Sequence, residues 1–164
     1  MSRACVRILL IALAMQTQAQ AQARPNFAGT WVEDASARKT TYPPPPPGDK
    51  TRTLPPTDTV VKQTAADLTT ERTFMSTVVR YIYKLDRSES VNHNGANTLT
   101  TRSKWDGAKL VTEGTSFSAT SAGESLWQYR EVRSLDRFGA MVVETTTTDE
   151  AGKVNVVTQV YRRK

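Results

Sequence analysis

The stretch RPNFAGTWVEDASARKT, Arg24 to Thr40, decides how this chain is read. Phe27 to Glu33 has the composition of a strand, bounded by Pro25 and by the polar segment Asp34 to Thr40. Whether it is only the first strand of some all-β domain, or the first strand of a hollow barrel, depends on what surrounds it.

Toward the N-terminus the pattern is that of a leader. Met1 to Arg7 carries two arginines and no acid, and an apolar run continues through Met15. That run is far short of the roughly twenty residues needed to span a bilayer. A Gln/Ala stretch follows, with Ala19-Gln20-Ala21 and Ala21-Gln22-Ala23 as small-x-small cleavage signals. This is the order of a secretory signal peptide, so residues 1–23 are expected to be removed and the chain to be periplasmic or secreted. The single cysteine, Cys5, goes with the leader, which leaves no disulfide, thiolate nucleophile or thiolate metal ligand. About 140 residues remain, from 24 to 164, enough for one domain that buries most of its apolar surface. No transmembrane segment is expected after cleavage, and a monomer is expected.

Charge excludes one class of partner. Loss of Arg3 and Arg7 takes the formal charge from +6 to +4. The remaining basic residues are dispersed among acids, and only Arg162-Arg163-Lys164 forms a cluster, at a chain end. A nucleic-acid surface calls for a basic stripe with stacking aromatics, so none is expected.

Beyond Thr40, a break runs from 41 to 58, with five prolines at Pro43 to Pro47 and two more at Pro55 and Pro56. Such a run holds an extended conformation and cannot enter a sheet ladder. The text then turns uniformly to β. Thr59–Thr64, Leu68–Met75, Val78–Asp86, Asn97–Trp105, Lys109–Ala119, Leu126–Leu135, Met141–Thr148 and Val154–Arg162 are rich in residues that suit a pleated surface. Turn signals separate them, clearest at Asp106-Gly107. No stretch shows sustained helical periodicity. The expected fold is all-β: an antiparallel up-and-down meander of about eight to nine strands, closed as a barrel or half-barrel.

Alternation assigns the faces. Val79, Tyr81, Tyr83 and Leu85 share one side of their strand, Leu99, Thr101, Ser103 and Trp105 another, and Trp127, Tyr129, Glu131, Arg133 and Leu135 a third. This candidate inner face is aromatic, rich in hydroxyls and partly charged, which suits a barrel whose interior is open or wet.

Catalytic material is sparse, and no enzyme, cofactor or metal is expected. His93 is the only histidine and is read as part of an Asn92-His93-Asn94-Gly95 turn. No serine sits in a strand–turn–helix elbow. Asp86, Glu89, Glu131 and Glu144 are carboxylates on or beside strands, where cross-strand pairing with Arg and Lys is their ordinary role.

Phe27-Ala28-Gly29-Thr30-Trp31 resembles the Gly-x-Trp first strand of the calycins, which include lipocalins and intracellular fatty-acid-binding proteins. Trp105-Asp106-Gly107-Ala108-Lys109-Leu110 and Thr158-Gln159-Val160-Tyr161-Arg162 are similar to late-hairpin and last-strand patterns of the fatty-acid-binding group. Across residues 26–163 the chain resembles small exported bacterial lipocalin-like proteins of unknown function. These share the Gly-Thr-Trp start, a proline-rich loop, a Tyr-x-Leu-Asp segment (Tyr83 to Asp86), a Trp-x-Gly turn and a Val-Tyr ending. The resemblance implies a lipocalin-like barrel closed by Gly29, Trp31 and Tyr161, holding a small apolar or amphipathic ligand. Tyr81, Tyr83, Trp105, Trp127, Tyr129 and Arg133 are the candidate contacts. Two departures stand out. The Arg-x-Tyr pair of fatty-acid-binding proteins becomes Gln159-Val160-Tyr161, and their helical lid becomes the proline loop. The other reading is a cell-envelope interaction module with a filled barrel.

Overall fold

The computed structural model describes residues 24–43, 58–74, 77–121 and 123–164. The expectations made for the leader, for most of the proline loop and for Met75 fall outside the described residues. Eleven strands form one antiparallel sheet: β1 (Gly29–Glu33), β2 (Lys39–Thr40), β3 (Asp58–Gln63), β4 (Asp67–Phe74), β5 (Thr77–Lys84), β6 (Glu89–Asn94), β7 (Asn97–Asp106), β8 (Lys109–Thr120), β9 (Gly123–Leu135), β10 (Met141–Thr148) and β11 (Val154–Arg163). The order β5-β4-β3-β1-β11-β10-β9-β8-β7-β6 is a meander with β1 placed between β3 and β11.

The sheet curls until its edges, β5 and β6, lie side by side as a nearly closed barrel. Side chains join these edges where the backbone ladder stops. Asn92 accepts from the Ile82 N–H (2.7 Å) and donates to the Ile82 carbonyl (3.0 Å), and Ser90 Oγ accepts from the Lys84 N–H (2.8 Å).

All nine expected strands are present, and two were not anticipated. β2 has only two residues, too few to leave a pattern, and pairs with β11 through Thr40 and Val157. β6 reads Glu-Ser-Val-Asn-His-Asn and inverts the usual alternation. Its buried residues are Ser90 and Asn92, while Val91 is half exposed. The seam needs hydrogen-bonding side chains there, so the strand resembles a loop in composition. His93 is accordingly corrected from turn to strand. It points outward beside Thr98 (3.1 Å), and the turn lies at Gly95-Ala96.

The base of the barrel is packed solid. Phe27 and Trp31 are both fully buried among Val61, Leu68, Leu110 and Met141. Residues ahead of β1 are held without a ladder of their own. Gln63 accepts from the Phe27 N–H (2.9 Å) and donates to the Pro25 carbonyl (3.2 Å), and Trp31 Nε1 donates to the Phe27 carbonyl (2.8 Å). Phe27 stacks on Trp105 with centroids 6.0 Å apart. Arg163 of β11 lies 4.6 Å over the Trp31 ring and donates to the Ala28 carbonyl (2.8 Å). Gly29 has φ +142°, and a Cβ there would come within 2.8 Å of that guanidinium. Glycine before the tryptophan is thus a consequence of close packing against the last strand.

Truncating Trp31 removes the largest fully buried side chain of this base. Trp31→Ala is expected to cost about 3–5 kcal/mol, lowering the thermal midpoint by roughly 10 °C. An unchanged midpoint in a calorimetric scan would show that Trp31 does not close the base.

Gly114 makes a second prediction. It faces inward on β8, where a Cβ would lie 1.9 Å from the Thr100 carbonyl oxygen of β7. That atom is backbone and cannot swing away. Gly114→Ala is expected to destabilise by about 1–3 kcal/mol, the usual range for overpacking. Denaturant unfolding measures it, and a loss below half a kilocalorie would mean that the two strands are not so tightly apposed.

Candidate functional site

Inward side chains fill the base but do not meet higher up. A cavity of about 480 Å³ remains, within the range of about 300–1,000 Å³ typical of small-molecule sites. Its floor includes Met141 and Tyr161, its walls Tyr81, Tyr83 and Tyr129, and exposed Tyr42 and Asn97 mark the mouth. All five tyrosines of the chain line it.

Alternation explains how the rings arrive. Tyr81 and Tyr83 occupy inward positions of β5, their rings 6.5 Å apart, and Trp127, Tyr129, Glu131 and Arg133 do so on β9. Of the candidate contacts, Tyr81, Tyr83, Trp127, Tyr129 and Arg133 line the cavity. Trp105 does not. It lies one residue from the end of β7, at the level of the base, where Phe27 stacks on it and Arg24 sits 5.6 Å from its ring. Thr101 and Ser103 were expected beside the rings but are buried in the β7–β8 wall, where Ser103 Oγ and Thr112 Oγ1 share a 2.8 Å hydrogen bond. Of the residues assigned to barrel closure, Gly29 and Trp31 are at the base, and Tyr161 spans base and cavity floor.

Among the described residues two cations and one carboxylate face the cavity. Arg133 donates from Nη2 to Glu131 Oε1 (2.8 Å) and from Nε to the same oxygen (3.3 Å), while the Tyr129 hydroxyl donates to Glu131 Oε2 (2.8 Å). Burial is the largest single influence on the Arg133 guanidinium and pulls its pKa down, but Glu131, Tyr83 and Tyr129 together outweigh it, and the net shift is upward. Burial also raises the pKa values of Tyr83 and Tyr129, with Glu131 adding to both, so the two phenols stay protonated across the physiological range. Arg133 Nη1 is buried and has no hydrogen-bond partner.

The second cation, Arg72, was not anticipated. It lies on β4, and its Nε donates to Thr59 Oγ1 (2.9 Å) and its Nη2 to the Tyr161 hydroxyl. Burial is the largest influence on its pKa and lowers it. Its inward position was readable from alternation with Leu68 and Thr70. Its convergence with Tyr161 was not, because β4 and β11 are far apart in the chain.

The carboxylates are not brought together for catalysis. Glu131 is inside the barrel, Glu144 is on the outer face, Glu89 pairs with Arg102 (3.3 Å), and Asp86 caps its own turn through Ser88. Among the described residues no group of three or more His, Cys, Asp or Glu is placed to hold a metal. No described helix is long and apolar enough to cross a membrane.

No protein-family model matches the chain, and no curated protein sequence does. Solved structures do match. The chain is similar to one named "REP1-NXSQ fatty acid transporter", with a TM-score of 0.58 and 13% identity over 84% of this chain and 95% of that one. It is also similar to "Human cRBP IV", with a TM-score of 0.52 and 14% identity over 85% of this chain and 99% of that one. At these identities the likeness shows the fold alone, an antiparallel β-barrel.

Proposed function

We propose that the protein is an exported, non-catalytic barrel that binds a small apolar or amphipathic molecule inside the cavity. The observation that carries this reading is an interior left open beneath a wall of tyrosines, with a buried guanidinium N–H lacking a partner. Apolar surface with a few convergent polar groups is the usual composition of a small-molecule site. An envelope module working through its outer face needs no such space, so the open interior favours ligand binding. The named neighbours add support, since one of them is called a fatty acid transporter. Export rests on the leader pattern of residues 1–23, and intact mass of the protein from its own host checks it. A chain beginning at Arg24 is expected, and one retaining Met1 would overturn export.

Binding is tested with the neutral dye 1-N-phenylnaphthylamine, followed by its own emission and by tryptophan quenching. Saturable one-to-one binding is expected. Trp127→Ala, at the cavity wall, is expected to weaken it about tenfold, equivalent to roughly 1.4 kcal/mol, without loss of the folding transition. Absence of saturable binding would remove the ligand-binding reading.

A further inference from the structure

We infer that the cavity takes a ring-bearing organic acid, a hydroxylated aromatic carboxylate, in preference to a linear acyl chain. This deepens the reading above and rests on it.

The acid follows from the charges. Among the described residues Arg72 and Arg133 line the cavity, and Glu131 is the one carboxylate that does. Glu33, from outside the lining, is the largest charged influence on Arg72 and opposes the effect of its burial, with Glu131 second. The lining therefore holds one more cation than anions. Glu131 meets only one side of Arg133 and leaves Nη1 unused, and Arg133 is only 5% exposed. A buried donor without a partner is costly, and a charged acceptor satisfies it best. A carboxylate between Arg133 Nη1 and Arg72 supplies the missing charge and the missing acceptor together.

The body of the ligand follows from the wall. Only Val79, Leu99, Met141 and Val143 in the lining have purely aliphatic or thioether side chains. The five tyrosines present ring faces and edges, and aromatic partners meet these in offset or edge-to-face contacts that add to simple burial. Two of the phenols retain donor capacity. Tyr161 accepts from Arg72, and Tyr81 accepts from Asn94 Nδ2 (3.5 Å), so each keeps an O–H to give. Thr145 and Thr147 add hydroxyls along β10. A methylene chain would displace water from these groups and return no hydrogen bond. A flat ring carrying hydroxyls matches both the faces and the donors.

The test compares 6-hydroxy-2-naphthoic acid, its methyl ester and hexadecanoic acid by titration calorimetry on the full mature chain, with the neutral dye as reference. The hydroxy acid is expected to bind at least about tenfold more tightly than either competitor, a margin worth roughly 1.4 kcal/mol. Arg72→Gln is expected to erase the preference for acid over ester while leaving the ester unchanged. Should R72Q not melt cooperatively, Thr145→Val is used instead. It is expected to weaken the hydroxy acid about threefold and leave unsubstituted 2-naphthoic acid unaffected, as loss of one neutral hydrogen bond would. Equal or tighter binding of hexadecanoate overturns the ring-bearing class while ligand binding stands. Equal binding of acid and ester overturns the acidic head. Failure of all three compounds while the dye still binds overturns the ligand class alone, and failure of the dye as well overturns both readings.

Discussion

The five residues of β1 hold the sheet together. β1 lies between β3 and β11, pairing Gly29 with Val61 on one side and Trp31 with Arg163 on the other. Without it the ladder falls into two pieces, β3–β5 and β6–β11, since among the described residues the opposite edges are joined by side chains of Ser90, Asn92 and Asn94 and not by a backbone ladder. A three-stranded piece is at the lower limit of independent stability and needs its apolar face covered. The aromatic residue in the middle of β1 is therefore buried at the point of greatest need. Trp31 contributes a large apolar area to the base, hydrogen-bonds back to Phe27, and receives Arg163 over its face. Phe27, Gln63 and Trp105 complete a plug that keeps water out from below. The chain contains no cysteine after Cys5, so this plug is held by packing and hydrogen bonds without a disulfide.

With the base sealed, the inward faces of eleven strands enclose more volume than their own side chains fill, as expected for small barrels of this kind. What occupies the walls then matters more than how they are held. Arg133, Glu131 and Tyr129 form a connected polar group with the pair itself buried, and removing one partner from such a pair typically costs about 3–5 kcal/mol because the other charge is stranded. Such groups are tolerated where each atom is satisfied, and here one is not. The unused Nη1 of Arg133 is a local cost that the isolated protein carries. Filling the cavity with Leu and Val would have been a simpler route to stability, so folding alone does not account for the polar wall.

The strand framework was legible because alternation depends on each residue's immediate neighbours. Tyr81, Tyr83, Trp127 and Tyr129 could be assigned to one face from spacing alone, and the structure puts them there. Where reading failed, a longer-range constraint had replaced the local one. β6 looked like a loop because Ser90 and Asn92 serve the seam with β5, a demand set by closure of the sheet and invisible within the segment. Trp105 had the correct face but the wrong height. Alternation specifies the side of a strand, whereas position along the barrel axis depends on register with β8, where Trp105 pairs with Leu110 near the basal hairpin. Thr101 and Ser103 were displaced for the same reason.

Arg72 shows why a motif can vanish while its chemistry persists. The last strand reads Gln159-Val160-Tyr161, with no arginine beside the tyrosine. Yet a guanidinium reaches the Tyr161 hydroxyl from β4, three positions away in the order β4-β3-β1-β11. Three inter-strand steps amount to about 14 Å along a flat sheet, beyond what an arginine and a tyrosine held perpendicular to it would bridge. Curling the sheet tilts the two inward side chains toward each other, and Thr59 on the intervening β3 supports the guanidinium on its way. The cation thus depends on barrel curvature for its position, while its identity is written 89 residues before the tyrosine it serves. A comparison confined to the last strand would find the acid-binding group missing. Followed through three dimensions, a guanidinium does meet the last-strand tyrosine, from β4, and Arg133 of β9 adds a second one to the cavity lining.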